Sequence, residues 1–121
     1  MVIYGAGGHS KVIIDSLKSL GIKVDYVFDD NFDASHFCGI PVGAYSVQKL
    51  PDSPLLLGIG SNAIRNKLSS QITHRFGKVA HHNSYVASDA MIGEGSVVLL
   101  GACVNVGTVV GRQTIINTHA V

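Results

Sequence analysis

Charge of either sign is scarce in this 121-residue chain: Asp, Glu, Lys and Arg make up 14% of it and balance to a net +1. Nothing in that balance suggests a nucleic-acid or anionic-membrane partner, and none is expected. Cysteine is nearly missing. Cys38 and Cys103 stand far apart and neither belongs to a CxxC pair, so both are expected to be reduced thiols of a cytoplasmic protein. No apolar run approaches the ~20 residues that cross a bilayer. The opening Met1-Val2-Ile3-Tyr4-Gly5 lacks the charged segment of a secretion signal, so none is expected. What the chain has in quantity is apolar side chain, 46%. It is long enough for one ordinary domain or two small ones, with surface to bury against copies of itself.

The apolar residues are most ordered in the last stretch, from Val86 to Val121. An aliphatic residue opens each group of six: Val86, Ile92, Val98, Val104, Val110, Ile116. A small residue stands four places later: Ala90, Ser96, Ala102, Thr108, Thr114, Ala120. A helix needs spacings of three and four, and a plain strand needs two. Period six instead predicts a coil of short strands. One aliphatic side chain per flat face points inward, and a small residue turns each corner. The period predicts the coil without its hand. His81-His82-Asn83-Ser84-Tyr85 joins this part to what precedes it, and the histidines have no further ligands at metal-binding spacing.

The first part reads as α/β. Val2-Ile3-Tyr4 is a strand, Gly5-Ala6-Gly7-Gly8-His9-Ser10 a glycine-rich turn, and Val12, Ile13, Leu17 and Leu20 mark a helix with Gly21 at its end. Ile22 to Phe28 is a second strand closed by Asp29-Asp30, which makes a βαβ unit and a parallel sheet. Ser46 to Leu50 is expected to be a short helix. Leu55 to Gly60 is a buried strand. A helix over about Ala63 to Phe76 follows, with an apolar stripe of Ile64, Leu68, Ile72 and Phe76 and with Arg65 on a solvated face. Lys78-Val79-Ala80 is the last short strand, which sets the boundary at 1–80 and 81–121.

Chemistry points to the strand ends. Glycines let a ligand approach the backbone, and the helix beyond aims free N–H groups at the same place, which suits a phosphate. The pattern Gly5-x-Gly7-x-x-Ser10 has serine where the dinucleotide fingerprint has its third glycine, so a tight strand-to-helix joint is the competing reading. Asp29 and Asp30 stand where an acid bonds a ribose or base, and Gly60 ends a parallel strand on the same edge.

The Tyr4-to-His9 turn, the Asp29-Asp30 pair, Gly58-Ile59-Gly60-Ser61-Asn62 followed by Ile64-Arg65, and then the hexads form a combination. It resembles the bacterial sugar acetyltransferases of the sialic acid O-acetyltransferase and UDP-amino-sugar N-acetyltransferase type, over the whole chain. His82-Asn83-Ser84 is similar to the family's His-Pro-Ser step into the coil, with Asn83 in place of proline, and Ile115-Ile116-Asn117-Thr118 to its late-coil motif.

The resemblance implies a small Rossmann-like parallel-sheet domain over residues 1–80. The first coils of a left-handed parallel β-helix follow over residues 81–121. It implies a cytoplasmic homotrimer in surface glycan biosynthesis. Acetyl-CoA would be the co-substrate, bound between neighbouring β-helices, and no metal, nucleic acid or membrane would be involved. Carried over residue by residue, Gly7, Gly8, His9, Asp29, Asp30 and Gly60 become contacts for a UDP-linked sugar, and Asn117 a rim residue. The family's general-base histidine would fall a few residues past Val121, so no catalytic residue is assigned within the chain. His119 is read as an outward coil side chain. A non-catalytic sugar-nucleotide-binding or assembly module is the alternative, and an NAD-type dinucleotide domain a third.

Overall fold

The computed structural model describes the whole chain, Met1–Val121. The first part is a five-stranded sheet in the order β3-β4-β2-β1-β5. Its elements are β1 (Val2–Tyr4), α1 (Gly8–Ser19), β2 (Tyr26–Phe28), β3 (His36–Phe37), β4 (Ile40–Gly43), β5 (Leu55–Leu57) and α2 (Asn62–Gln71). β1, β2, β4 and β5 run parallel, and β3 is antiparallel to β4. The apolar runs of β1 and β5 are buried on both faces, as strands inside a parallel sheet require. Alternation sorts them. Ile3, Val27 and Leu56 face α1, with its Ile13, Ile14 and Leu17. Val2, Phe28, Leu55 and Leu57 face the other side, against Ile72, Leu68 and Tyr45. α1 ends in a left-handed Gly21 (φ 71°). The N–H groups of Gly21 and Ile22 donate to Lys18 and Leu17 carbonyls at 3.0 Å each, which satisfies the last turn.

The second part is built of two-residue strands. They are β6 (Val79–Ala80), β7 (Tyr85–Val86), β8 (Met91–Ile92), β9 (Val97–Val98), β10 (Cys103–Val104), β11 (Val109–Val110) and β12 (Ile115–Ile116). They form three parallel ladders, β6-β9-β12, β7-β10 and β8-β11. Each residue pairs with the one three hexads later: Tyr85 with Cys103, Met91 with Val109, Val97 with Ile115. The aliphatic column points inward as the period predicts, with Val98, Val104 and Val110 buried together against Val86, Ile92 and Ile116.

The two parts share one core. Val79, Val97 and Leu99 join the cluster of Ile3, Ile13 and Leu17, so the β6-β9-β12 face of the coil packs on the α1 side of the sheet. Full burial of a side chain such as Leu99 stabilises by about 1.5–3 kcal/mol.

Four sequence expectations are corrected. Val79–Ala80 pairs with β9 and is the first strand of the coil, so the coil takes in residues placed before the expected boundary. Residues 46–50 form turns rather than a helix. The second strand is shorter than Ile22 to Phe28, because Ile22 is used to close α1. The stripe expected on α2 is rotated: Ile64 is 50% exposed while Arg65 is only 2% exposed. The helix stops at Gln71, and Phe76 instead bridges to Leu55 as an extended residue.

Candidate functional site at the carboxyl ends of the sheet

Because the sheet order places β1 between β2 and β5, three chain turns meet at one edge: Gly5–Ser10 after β1, Asp29–Asn31 after β2 and Gly58–Asn62 after β5. The sequence brings Gly7, Gly8, His9, Asp29, Asp30 and Gly60 to that edge. Asn117 follows β12 on the coil, is exposed, and its Oδ1 accepts from Thr118 N–H at 2.8 Å; no hydrogen bond joins it to the turn.

The turn is tightly built. Gly5 has φ +112°, and a Cβ there would fall 2.9 Å from Ile59 Cδ1 and 3.0 Å from the Gly58 carbonyl oxygen, so only glycine fits. Ser10, fully buried, donates through Oγ to the Gly5 carbonyl and lies 3.3 Å from that of Gly58. A Cβ on Gly58 would overlap this hydroxyl at 1.7 Å. The close approach that the fingerprint's third glycine allows is therefore made in reverse here: serine stands on the helix and glycine on the facing turn. Gly58 was absent from the sequence candidates, and Ser10 in the glycine's place was the available signal.

Gly7, Gly8 and Gly60 differ from these. A Cβ at any of the three would meet nothing within 4 Å, and none has a positive φ. Packing does not require them to be glycine, and they leave the edge open. No side chain caps α1, and its first turn holds no acid. Its leading N–H groups and the positive end of its dipole are therefore turned to the open side. α2 contrasts with it: Ser61 Oγ accepts from Ile64 N–H at 3.4 Å.

The two aspartates are less free than the sequence suggests. Asp29 accepts from Ala6 N–H at 2.8 Å and from Asn31 N–H at 2.9 Å, tying the glycine turn to the end of β2. Asp30 accepts from Tyr4 Oη at 2.7 Å and from Tyr45 N–H at 2.9 Å. Burial, reinforced by Asp30, pushes the Tyr4 phenol up to about 12, so it remains a donor. Each carboxylate oxygen keeps a second lone pair for a ligand. Tyr4 and Tyr45, missed in the sequence, anchor Asp30.

His9 is half-buried in the first turn of α1, and its buried Nε2 makes no hydrogen bond within the protein. Burial, with Arg65 adding a like charge, holds its pKa below the ordinary histidine value and favours the neutral ring. Two other histidines, His74 and His81, serve the scaffold. His74 is held by Tyr45 Oη at 2.8 Å and the Lys49 carbonyl at 3.0 Å, and His81 Nδ1 accepts from Asn83 N–H at 3.0 Å. The largest cavity, about 570 Å³, lies at the opposite edge, around Ile22, Val24, Cys38 and Pro41, away from these groups.

Fold and edge together define a class: an α/β domain with an anion-ready glycine turn, seated on a hexad coil. The chain belongs to the PglD N-terminal domain family, which matches residues 1–72, and with it to the bacterial sugar acetyltransferase family. It is 30% identical over 109 residues to UDP-N-acetylbacillosamine N-acetyltransferase of Bacillus subtilis (strain 168), a match spanning 82% of this chain and 50% of that protein. Among solved structures it resembles PerB from Caulobacter crescentus in complex with CoA and GDP-perosamine. The TM-score is 0.87 at 31% identity, over 98% of this chain and 59% of that one. The acetyltransferase domain of PglB from Neisseria gonorrhoeae FA1090, in complex with acetyl coenzyme A, is similar at TM-score 0.84 and 29% identity, over 98% of this chain and 61% of that one. The chain thus spans half the length of its Bacillus relative and about three-fifths of these structures. No helix is long and apolar enough to cross a membrane.

Proposed function

We propose that the chain is the sugar-nucleotide-recognising part of an acetyl-CoA-dependent acetyltransferase that modifies a UDP-linked amino sugar or a sialic-acid-type sugar for surface glycans. The observation that carries this reading is the uncapped start of α1 beside three glycines that packing does not demand. The diphosphate takes the free N–H groups of the Gly7–Ser10 turn, and Asp29 and Asp30 meet ribose or base with their remaining lone pairs. Gly60 lets the sugar lie close to the end of β5, and neutral His9 offers a ring nitrogen to a sugar hydroxyl or amine.

Acetyl transfer needs a general base to take the proton of the attacking amine or hydroxyl as it adds to the thioester carbonyl. In this reading the base lies in sequence beyond Val121, with Asn117 at the rim. The hexads form a left-handed β-helix, and acetyl-CoA lies between helices of a cytoplasmic homotrimer. Met91 and Val109, paired on an outer face and 66% and 74% exposed, supply apolar surface for such packing.

Calorimetric titration with a UDP-linked amino sugar, the matching GDP sugar, acetyl-CoA and NAD tests the assignment. The UDP sugar is expected to bind, and more tightly than the other nucleotides. Binding of NAD alone would overturn it.

A further inference from the structure

Arg65 is the largest fully buried side chain in the molecule, and no carboxylate pairs with it. A buried charge of this kind is expensive unless hydrogen bonds replace its hydration. Here every guanidinium nitrogen is used, and the partners are all carbonyl oxygens. Nη1 donates to Leu57 at 2.9 Å and to Ile59 at 3.1 Å, at the end of β5 in the glycine-edge site. Nη2 donates to Gln113 at 2.8 Å and to Gly95 at 3.4 Å, and Nε reaches Gln113 at 3.2 Å. Gly95 and Gln113 are corners of successive turns of the coil.

Those corners take the left-handed form that recurs at Gly101 and His119. Gly95 and Gln113 both have left-handed backbones, at φ 78° and 55°, and the Gln113 side chain covers Gly95. A non-glycine residue in that region carries a cost of about 1–2 kcal/mol. The guanidinium donates to both corner carbonyls and offsets that cost. One rigid planar group thus holds the carboxyl end of β5 with one edge and two turns of the coil with the other. A lysine has its donors at a single point and cannot span the two sides.

The geometry points to Arg65 as a positioning residue that locks the glycine-edge site to the coil and so sets where a bound sugar stands relative to it. The consequence for acetyl transfer rests on the function proposed above; the lock itself does not. Without the guanidinium the shared apolar core still joins the two parts, but the turn after β5 and the coil corners are freed to move separately.

Hydrogen exchange of the chain, unsubstituted and as Arg65→Lys and Arg65→Met, tests the lock. Amides of 58–60, 95 and 113 are expected to exchange at least about tenfold faster in both variants, while those of β7, β8, β10 and β11 keep their rates. Faster exchange confined to α2, or to one side of the guanidinium, would overturn the lock. Acetyl transfer supplies a second readout. Arg65→Met should lower kcat about tenfold or more, with KM for the sugar nucleotide changed less than about threefold. A loss carried by KM would overturn the positioning role. Because the proposed base lies beyond Val121, acetyl transfer is read in a protein that carries it; if that protein, unsubstituted, transfers no acetyl group, the proposed function fails, and the exchange rates alone decide the role of Arg65.

Discussion

The glycines of the coil and those of the α/β edge are the same residue put to opposite uses. In the coil, Gly95 and Gly101 are covered by side chains of the next turn, Gln113 and His119, and a Cβ at either would fall within about 2.4 Å of them. At the edge, Gly7, Gly8 and Gly60 face open space. Gly95 and Gly101 are explained by packing and by backbones at φ 78° and 71°, and Gly107 by its φ of 72°; Gly111 alone in the coil has neither reason. The edge glycines have neither reason, and the proposed function accounts for them by a ligand that approaches the backbone closely. Gly5 and Gly58 belong with the coil's glycines although they sit at the edge, because they make the turn that the ligand would lie on.

Substitution breaks this comparison in a definite order. Gly58→Ala should be the most damaging, by about 3 kcal/mol in urea unfolding, since Ser10 is buried and held in place and its hydroxyl cannot swing aside. Adding Ser10→Gly should restore more than half of that loss, because it returns the small residue to the helix. No restoration would show that Ser10 and Gly58 are not a pair.

Gly101→Ala should cost about 2 kcal/mol, from its left-handed backbone and from the His119 ring. Gly107→Ala, with the same kind of backbone (φ 72°) but no atom in the way, should cost less. Asp29→Ala should cost about 1–2 kcal/mol, because the N–H groups of Ala6 and Asn31 lose their acceptor. Asp30 is exposed, so Asp30→Ala should cost less in stability, although both variants should weaken sugar-nucleotide binding.

Gly60→Ala should leave stability within about 0.5 kcal/mol and still lower affinity for the UDP sugar, a separation that no coil glycine should show. The smallest effect expected is a pH dependence. The folded pKa of His9 lies below its unfolded value, so the unfolded chain binds more protons as pH falls through about 6.5, and stability falls with it. The midpoint of thermal unfolding should drop on acidification by less in His9→Gln than in the parent chain.

How legible each half was follows from the physics of its pattern. The coil could be read residue by residue, because each inward position of a strand answers to the residue three hexads away, and period six allows no second register. The α1 turn could be read because its glycines are adjacent in sequence. α2 could not. Spacing by four selected Ile64, Leu68, Ile72 and Phe76, but Arg65, near the start of the helix, meets the carbonyls at the end of β5 and the coil corners at Gly95 and Gln113, which call for donors. A buried arginine satisfied by carbonyls has no apolar periodicity to announce it. The turn of the β3-β4 hairpin was hidden too: Cys38 and Gly39 both take left-handed backbones, and cysteine is a poor signal for that turn. Asp29 and Asp30 were found at the right place, but that their oxygens already hold the turn and Tyr45 emerges only when the three strand ends are brought together.

The central claim is that a sugar nucleotide is received by the open glycines of the α/β edge. Amide chemical shifts of the labelled chain, followed while a UDP-linked amino sugar is added, test it most directly. Saturable shifts are expected at Gly7 to Ser10, Asp29 to Asn31 and Gly60 to Asn62. Shifts confined to the cavity around Cys38 and Pro41, or to the outer faces of the coil, would contradict it.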